Sequence, residues 1–124
     1  MILADTSVWV NHFRQDDPHL RQSLLDGQIL MHPFVIGEIA CGHLRSRQKV
    51  LSDLQRLPPV ILAEQDEVLG FLDQHQLFGK GISWIDAHLL ASARLSACRL
   101  WTLDLRLSAA AKRLHLGYSA NSRS

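Results

Sequence analysis

Hydrophobic and polar positions fall along this chain in short blocks, each closed by a turn or capping residue. Residues 1–4 are a continuous apolar run cut off by Asp5-Thr6-Ser7, the pattern of a buried parallel strand whose end meets a helix start. Residues 8–14 predict a first short helix, Asp16-Asp17-Pro18 opens a second that stops at Gly27, and residues 28–31 suit another strand. Pro33 leads into the helix FVIGEIACGHL. After a polar turn around Ser46, Val50, Leu51, Leu54 and Leu57 lie at helical spacing in a more basic helix that Pro58-Pro59 ends. Residues 60–62 predict a third strand, and residues 64–75 an amphipathic helix with Val68, Leu69 and Leu72 on one face. Gly79 and Gly81 break the chain before an apolar helix over 83–95, a fourth strand over 99–103 and a last helix over 108–114. Strands alternating with helices predict an α/β fold: a three-layer α/β/α sandwich around a central, mainly parallel sheet of four or five strands. A single domain over 1–120 accounts for every element, with 121–124 expected to be a flexible tail.

Four acids break the apolar pattern, each alone in its segment: Asp5 in MILADTSVWV, Glu38 in PFVIGEIACG, Asp86 in SWIDAHLLASA and Asp104 in LWTLDLRL. An ionised carboxylate withdrawn from water is costly unless something pairs with it. Three have a local explanation. Asp5 suits the N-cap of the first helix, Asp86 completes the capping box Ser83-Trp84-Ile85-Asp86, and Asp104 opens a turn or caps the helix that follows. Glu38 has no capping position. Its helical neighbours at three and four residues are Phe34, Val35, Cys41 and Gly42, which leaves pairing with Arg45 or Arg94 as its structural alternative.

A shared site explains all four at once, because ligands of parallel sheets bind outside the carboxyl ends of the strands, where Asp5 and Asp104 fall. Four carboxylates about 6 Å apart, at an effective dielectric near 20, repel by roughly 3 kcal/mol per pair, or roughly 15 to 20 kcal/mol together. Metal ions or raised pKa values must relieve that. Oxygen ligands without a Cys or His cluster select Mg²⁺ or Mn²⁺, one ion or two, over zinc. The chemistry this supports is phosphodiester hydrolysis by metal-activated water. Thr6, Ser7 and Thr102 put hydroxyls beside the proposed ligands and can orient them, with helix capping and strand propensity as their plainer roles.

With 124 residues, 47% of them hydrophobic and 20% charged, the chain has room for one globular domain. A net charge of +1 excludes a global basic field, so any nucleic-acid contact must be a local patch. Arg45, Arg47 and Lys49 after the Glu38 helix, and Arg106, Lys112 and Arg113 after Asp104, are the candidates for holding phosphates, against ordinary surface solvation. Cys41 and Cys98 are expected to be buried thiols in a reducing compartment rather than a disulfide. The chain has no secretory leader and no apolar run of the roughly 18 to 20 residues a membrane span needs, which predicts a cytoplasmic protein. Trp9, Phe13 and Leu44 are candidates for a partner surface or for core packing, and His88 reads as structural.

In order and spacing, ILADTSVWV, HPFVIGEIACG, GISWIDAHLLASA and LWTLDLRLSAAAKRL resemble a PIN-domain nuclease of the VapC toxin type. That family has an acid after the first strand, a Glu in an apolar helix, an Asp opening a DAHLLA-like helix and an Asp in a T-x-D segment. Asp5, Glu38, Asp86 and Asp104 match these one by one. The resemblance implies a compact α/β/α fold and Mg²⁺- or Mn²⁺-dependent endoribonuclease activity. It also implies a homodimer and a toxin silenced by a cognate VapB-type antitoxin, whose C-terminal segment wraps it. Where some relatives carry a further acid or amide after T-x-D, this chain has Ser108. A haloacid-dehalogenase-type phosphatase would need Asp where Ser7 stands, and a receiver domain would need an acidic pair after the first strand. The alternative that remains is a metal- or phosphate-binding regulatory module without nuclease activity.

Overall fold

The computed structural model describes residues 1–120 and shows an α/β fold. Its elements are β1 (Ile2–Ala4), α1 (Thr6–Gln15), α2 (Pro18–Leu25), β2 (Ile29–Leu30), α3 (Pro33–Ala40), α4 (Arg47–Gln55), α5 (Gln65–Gln74), α6 (Trp84–Leu95), β3 (Arg99–Trp101) and α7 (Leu105–Arg113). The sheet is parallel with order β2-β1-β3, and Leu3 pairs with Leu30 on one side and Leu100 on the other. Successive strand residues point to opposite faces. Since Ile2, Leu3 and Ala4 are all buried, helices cover the central strand on both sides, and the layering is α/β/α.

The sheet is narrower than the expected four or five strands. Residues 60–62 form no strand. The chain there touches the sheet only at the bridge Met31–Pro59, flanked by bonds from Met31 N to Pro58 O and from Val60 N to Met31 O. Pro58 and Pro59 have no N–H to extend a ladder, and Ile61 and Leu62 turn out to solvent. At the opposite edge Leu100 bridges Gly117 in the same limited way. The sheet therefore has three strands with a single-bridge fringe on each side.

The helices begin where polar side chains cap them. Asp17 accepts from the backbone N–H of His19 and Leu20 with Pro18 at the first helical position, and His32 accepts from Phe34 N ahead of Pro33. The last helix starts at Leu105, three residues before the expected Ser108, because Asp104 accepts from both Arg106 N and Leu107 N. Cys41, expected to be buried, is exposed at the C-cap of α3, whereas Cys98 is buried as expected. Leu69 is likewise exposed, although it shares the predicted apolar face with buried Val68. The predicted tail, 121–124, lies outside the described residues.

Candidate active site

Asp5 follows the central strand directly and caps α1, and its own N–H continues the strand pairing by donating to Trp101 O at 2.9 Å. The residue is only 6% exposed. One carboxylate oxygen accepts from Ser7 Oγ at 2.5 Å and Val8 N at 3.3 Å, and the other from Thr102 Oγ1 at 2.5 Å. Burial pushes the Asp5 carboxyl pKa up, these hydrogen bonds pull it back, and the nearby Asp86 carboxylate raises it again by repulsion.

Hydroxyls beside Asp5 reach the Asp104 backbone and Glu38. Thr102 Oγ1 also accepts from Asp104 N at 3.0 Å, and Ser7 Oγ from Leu103 N at 2.9 Å, which ties the turn after β3 to the start of α1. Thr6 Oγ1 donates to Glu38 Oε1 at 2.5 Å, joining α3 to the same corner. Asp86 holds the start of α6, accepting from Ser83 N while Ser83 Oγ accepts from Asp86 N, both at 3.0 Å. All three capping explanations hold, while Asp104 joins the corner through its backbone N–H to Thr102 and Asp86 lies near enough for its charge to act on Asp5. Glu38 is exposed rather than enclosed, and its carboxylate meets a threonine, not Arg45 or Arg94; Arg94 instead reaches Leu114 O.

Among the described residues none of the four acids forms an ion pair, and no three His, Cys, Asp or Glu side chains close into a ready-made metal cage. The donor set nonetheless fits a hard cation: carboxylates and hydroxyls only, one carboxylate buried against its own charge. Mg²⁺ keeps several waters and needs only one or two protein carboxylates, so an open array suits it better than a closed cage.

The predicted basic residues divide. Arg47 donates to Ala40 O at 2.7 Å and Lys49 pairs with Asp53 at 2.9 Å, so both are engaged locally. Lys112 lies eight residues, about 12 Å of helix, beyond Asp104, against Gly117. Arg45 joins Val10, Phe13, Arg14, Glu38 and Leu44 around a groove of about 600 Å³. Arg106 sits in the first turn of α7 beside Asp104. Of the apolar candidates, Trp9 is core, while Phe13 is exposed at that groove. His88 packs between Phe34 and Trp84, ring centroids 4.9 and 4.6 Å away, and is structural.

Lys80, not picked out from the sequence, shares a cleft with Arg106 on the Asp104 side. The available signal was its place between Gly79 and Gly81, just ahead of the capping box.

Central parallel strand, acid at its carboxyl end and helix-borne acids around it are what the sequence resemblance implied, and the PIN domain model matches residues 2–113. The chain belongs to the PIN-domain family. Its relatives include Ribonuclease VapC32 of Mycobacterium tuberculosis, from strain CDC 1551 / Oshkosh and from strain ATCC 25618 / H37Rv. Each is 43% identical over 111 residues, covering 89% of this chain and 90% of the relative. The chain is of the VapC type within that family.

Proposed function

We propose that this protein is a divalent-metal-dependent endoribonuclease, the toxin half of a toxin–antitoxin pair. The observation that carries the reading is a buried Asp5 carboxylate held by Ser7 and Thr102, with the Asp86 charge close enough to act on it, Thr102 bound to the Asp104 backbone and neighbouring Thr6 bound to Glu38, none of the four acids having an ion-pair partner among the described residues. The ribonuclease name of its relatives, at 43% identity over nearly the whole chain, supports RNA as the substrate.

Asp5, Glu38, Asp86 and Asp104 would hold Mg²⁺ or Mn²⁺. The chemistry such an ion supplies when bound is Lewis-acid activation of water and charge neutralisation at the phosphate. Ser7 and Thr102 donate to Asp5, keeping its oxygens oriented and favouring the charged form against burial, and Thr6 does the orienting for Glu38. Thr102 also fixes Asp104 through its backbone N–H.

The groove that runs to Glu38, apolar at Val10, Phe13 and Leu44 and flanked by Arg14 and Arg45, suits a segment of a cognate VapB-type antitoxin. Among the described residues no helix is long and apolar enough to cross a membrane; a cytoplasmic setting is the one in which the proposed RNA substrate is at hand. A homodimer is the expected assembly.

Purified protein should cut single-stranded RNA in Mg²⁺ or Mn²⁺, stop when EDTA removes the ion, and lose cleavage in Asp5→Asn while keeping its circular dichroism spectrum. Equal cleavage by wild type and Asp5→Asn, or cleavage indifferent to EDTA, would overturn the reading.

A further inference from the structure

The loop Phe78-Gly79-Lys80-Gly81 between α5 and α6 takes no part in the acid network, yet it is held on either side and at Gly81. Before it, the Arg113 guanidinium donates to the carbonyls of His75 and Gln76. At Gly81, where φ is +81°, an added Cβ would stand 2.6 Å from Arg106 Cδ and 2.7 Å from Arg106 Nη1. The Arg106 side chain therefore lies directly on the loop backbone, at a position that only glycine leaves open. After it, Ser83 and Asp86 close the capping box of α6.

What this fixed loop presents is charge and an aromatic face. Phe78 is 65% exposed, and Lys80 is exposed beside it. Lys80 and Arg106 line one cleft of about 310 Å³ together with Leu105. Among the described residues neither cationic group has a hydrogen-bond or ion-pair partner, unlike Arg47, Lys49 and Arg113. Two cations that line one cleft, neither paired with a carboxylate, complement a phosphate. The exposed Phe78 ring, two residues before Lys80 on the same loop, complements an unpaired base, which a duplex would not offer. The patch is continuous with the acids, since Leu105 follows Asp104 and the loop leads into Asp86.

We propose that this loop, with Arg106 laid across it, is a contact for single-stranded RNA: Lys80 and Arg106 hold a backbone phosphate of the substrate strand, and Phe78 stacks an unpaired base. The proposal rests on the ribonuclease reading and deepens it. Anchoring at both ends and at Gly81 lowers the ordering cost of binding.

The test is binding of a labelled single-stranded RNA oligonucleotide to Asp5→Asn protein, titrated at several salt concentrations. Lys80→Ala and Arg106→Ala should each weaken binding and lower the slope of log affinity against log salt, and the double variant should lower it by about 0.7 in all, one phosphate contact on a single strand. Gly81→Ala, which displaces Arg106, should reproduce the Arg106→Ala slope with the arginine still present. Phe78→Ala should weaken binding roughly 5- to 150-fold with the slope unchanged, and Phe78→Trp should restore it. Unchanged slopes in both cation variants, or a duplex bound as tightly as the single strand, overturn the proposal. So does loss of antitoxin binding with RNA affinity intact, which would assign the patch to a protein partner. Because no cleavage is needed, failure here beside a cleaving wild type counts against the loop alone, whereas a wild type that cuts no RNA counts against the ribonuclease reading.

Discussion

Thr102 controls more of the site than its size suggests. Its hydroxyl donates to the Asp5 carboxylate and accepts from Asp104 N–H, so one Oγ1 orients one acid and holds the backbone of another. The bond to Asp5 favours the charged carboxylate and opposes the rise that burial imposes. In Thr102→Val that help is gone and the Asp5 pKa rises further. If the charged form of Asp5 is the active one, activity is lost as pH falls through its pKa. The acid limb of the kcat/KM profile should then move to higher pH in the variant; an unmoved limb, or one displaced to lower pH, would contradict this role. Thr6, Ser7 and Thr102 could be flagged in the sequence because they adjoin the acids. Which hydroxyl serves which acid was not legible there, since Thr6 serves Glu38, 32 residues away, rather than its neighbour Asp5.

At the scale of elements, α3 carries both an acid of the site and a titratable cap. His32 is 1% exposed, accepts from Phe34 N through one ring nitrogen, and buries the other without a partner among the described residues. Burial, helped by repulsion from His88, lowers its pKa from 6.5 to about 4. Between those values the unfolded chain binds a proton that the folded chain excludes, so folding stability falls as pH drops from about 6.5 towards 4, by about 3 kcal/mol from this residue. His75 and His88, also lowered, act in the same direction, and Asp5, with its raised pKa, in the opposite one. Urea unfolding across this range should show a clearly flatter pH dependence in His32→Asn, which keeps a capping side chain, than in wild type. Parallel curves would contradict it. The same scale shows where local patterns misled: a three-residue apolar run predicted a strand at 60–62, and apolar neighbours predicted burial for Cys41. The first was decided locally, by two prolines that cannot donate to the ladder, and the second by a helix that ends at Ala40 with Cys41 facing solvent.

For the whole molecule, parallel topology accounts for the meeting of Asp5 with the turn that carries Asp104. With order β2-β1-β3, the carboxyl ends of neighbouring strands lie together, so Asp5 after β1 and Thr102 after β3 meet although 97 residues separate them. That much followed from the sequence, because a strand-and-helix alternation with acids at strand ends fixes the edge where a site forms. The arrangement of Lys80, Arg106 and Gly81 did not, since it depends on how α7 packs against a loop that carries no periodic pattern. The central claim is that the four acids form one RNA-cutting centre. Mapping RNA 5′ ends in cells after brief induction of wild type and of Asp5→Asn tests it most directly. The account predicts new, discrete 5′ ends with wild type that are absent with Asp5→Asn expressed at the same level. The same ends appearing with both proteins, or with neither, would contradict it.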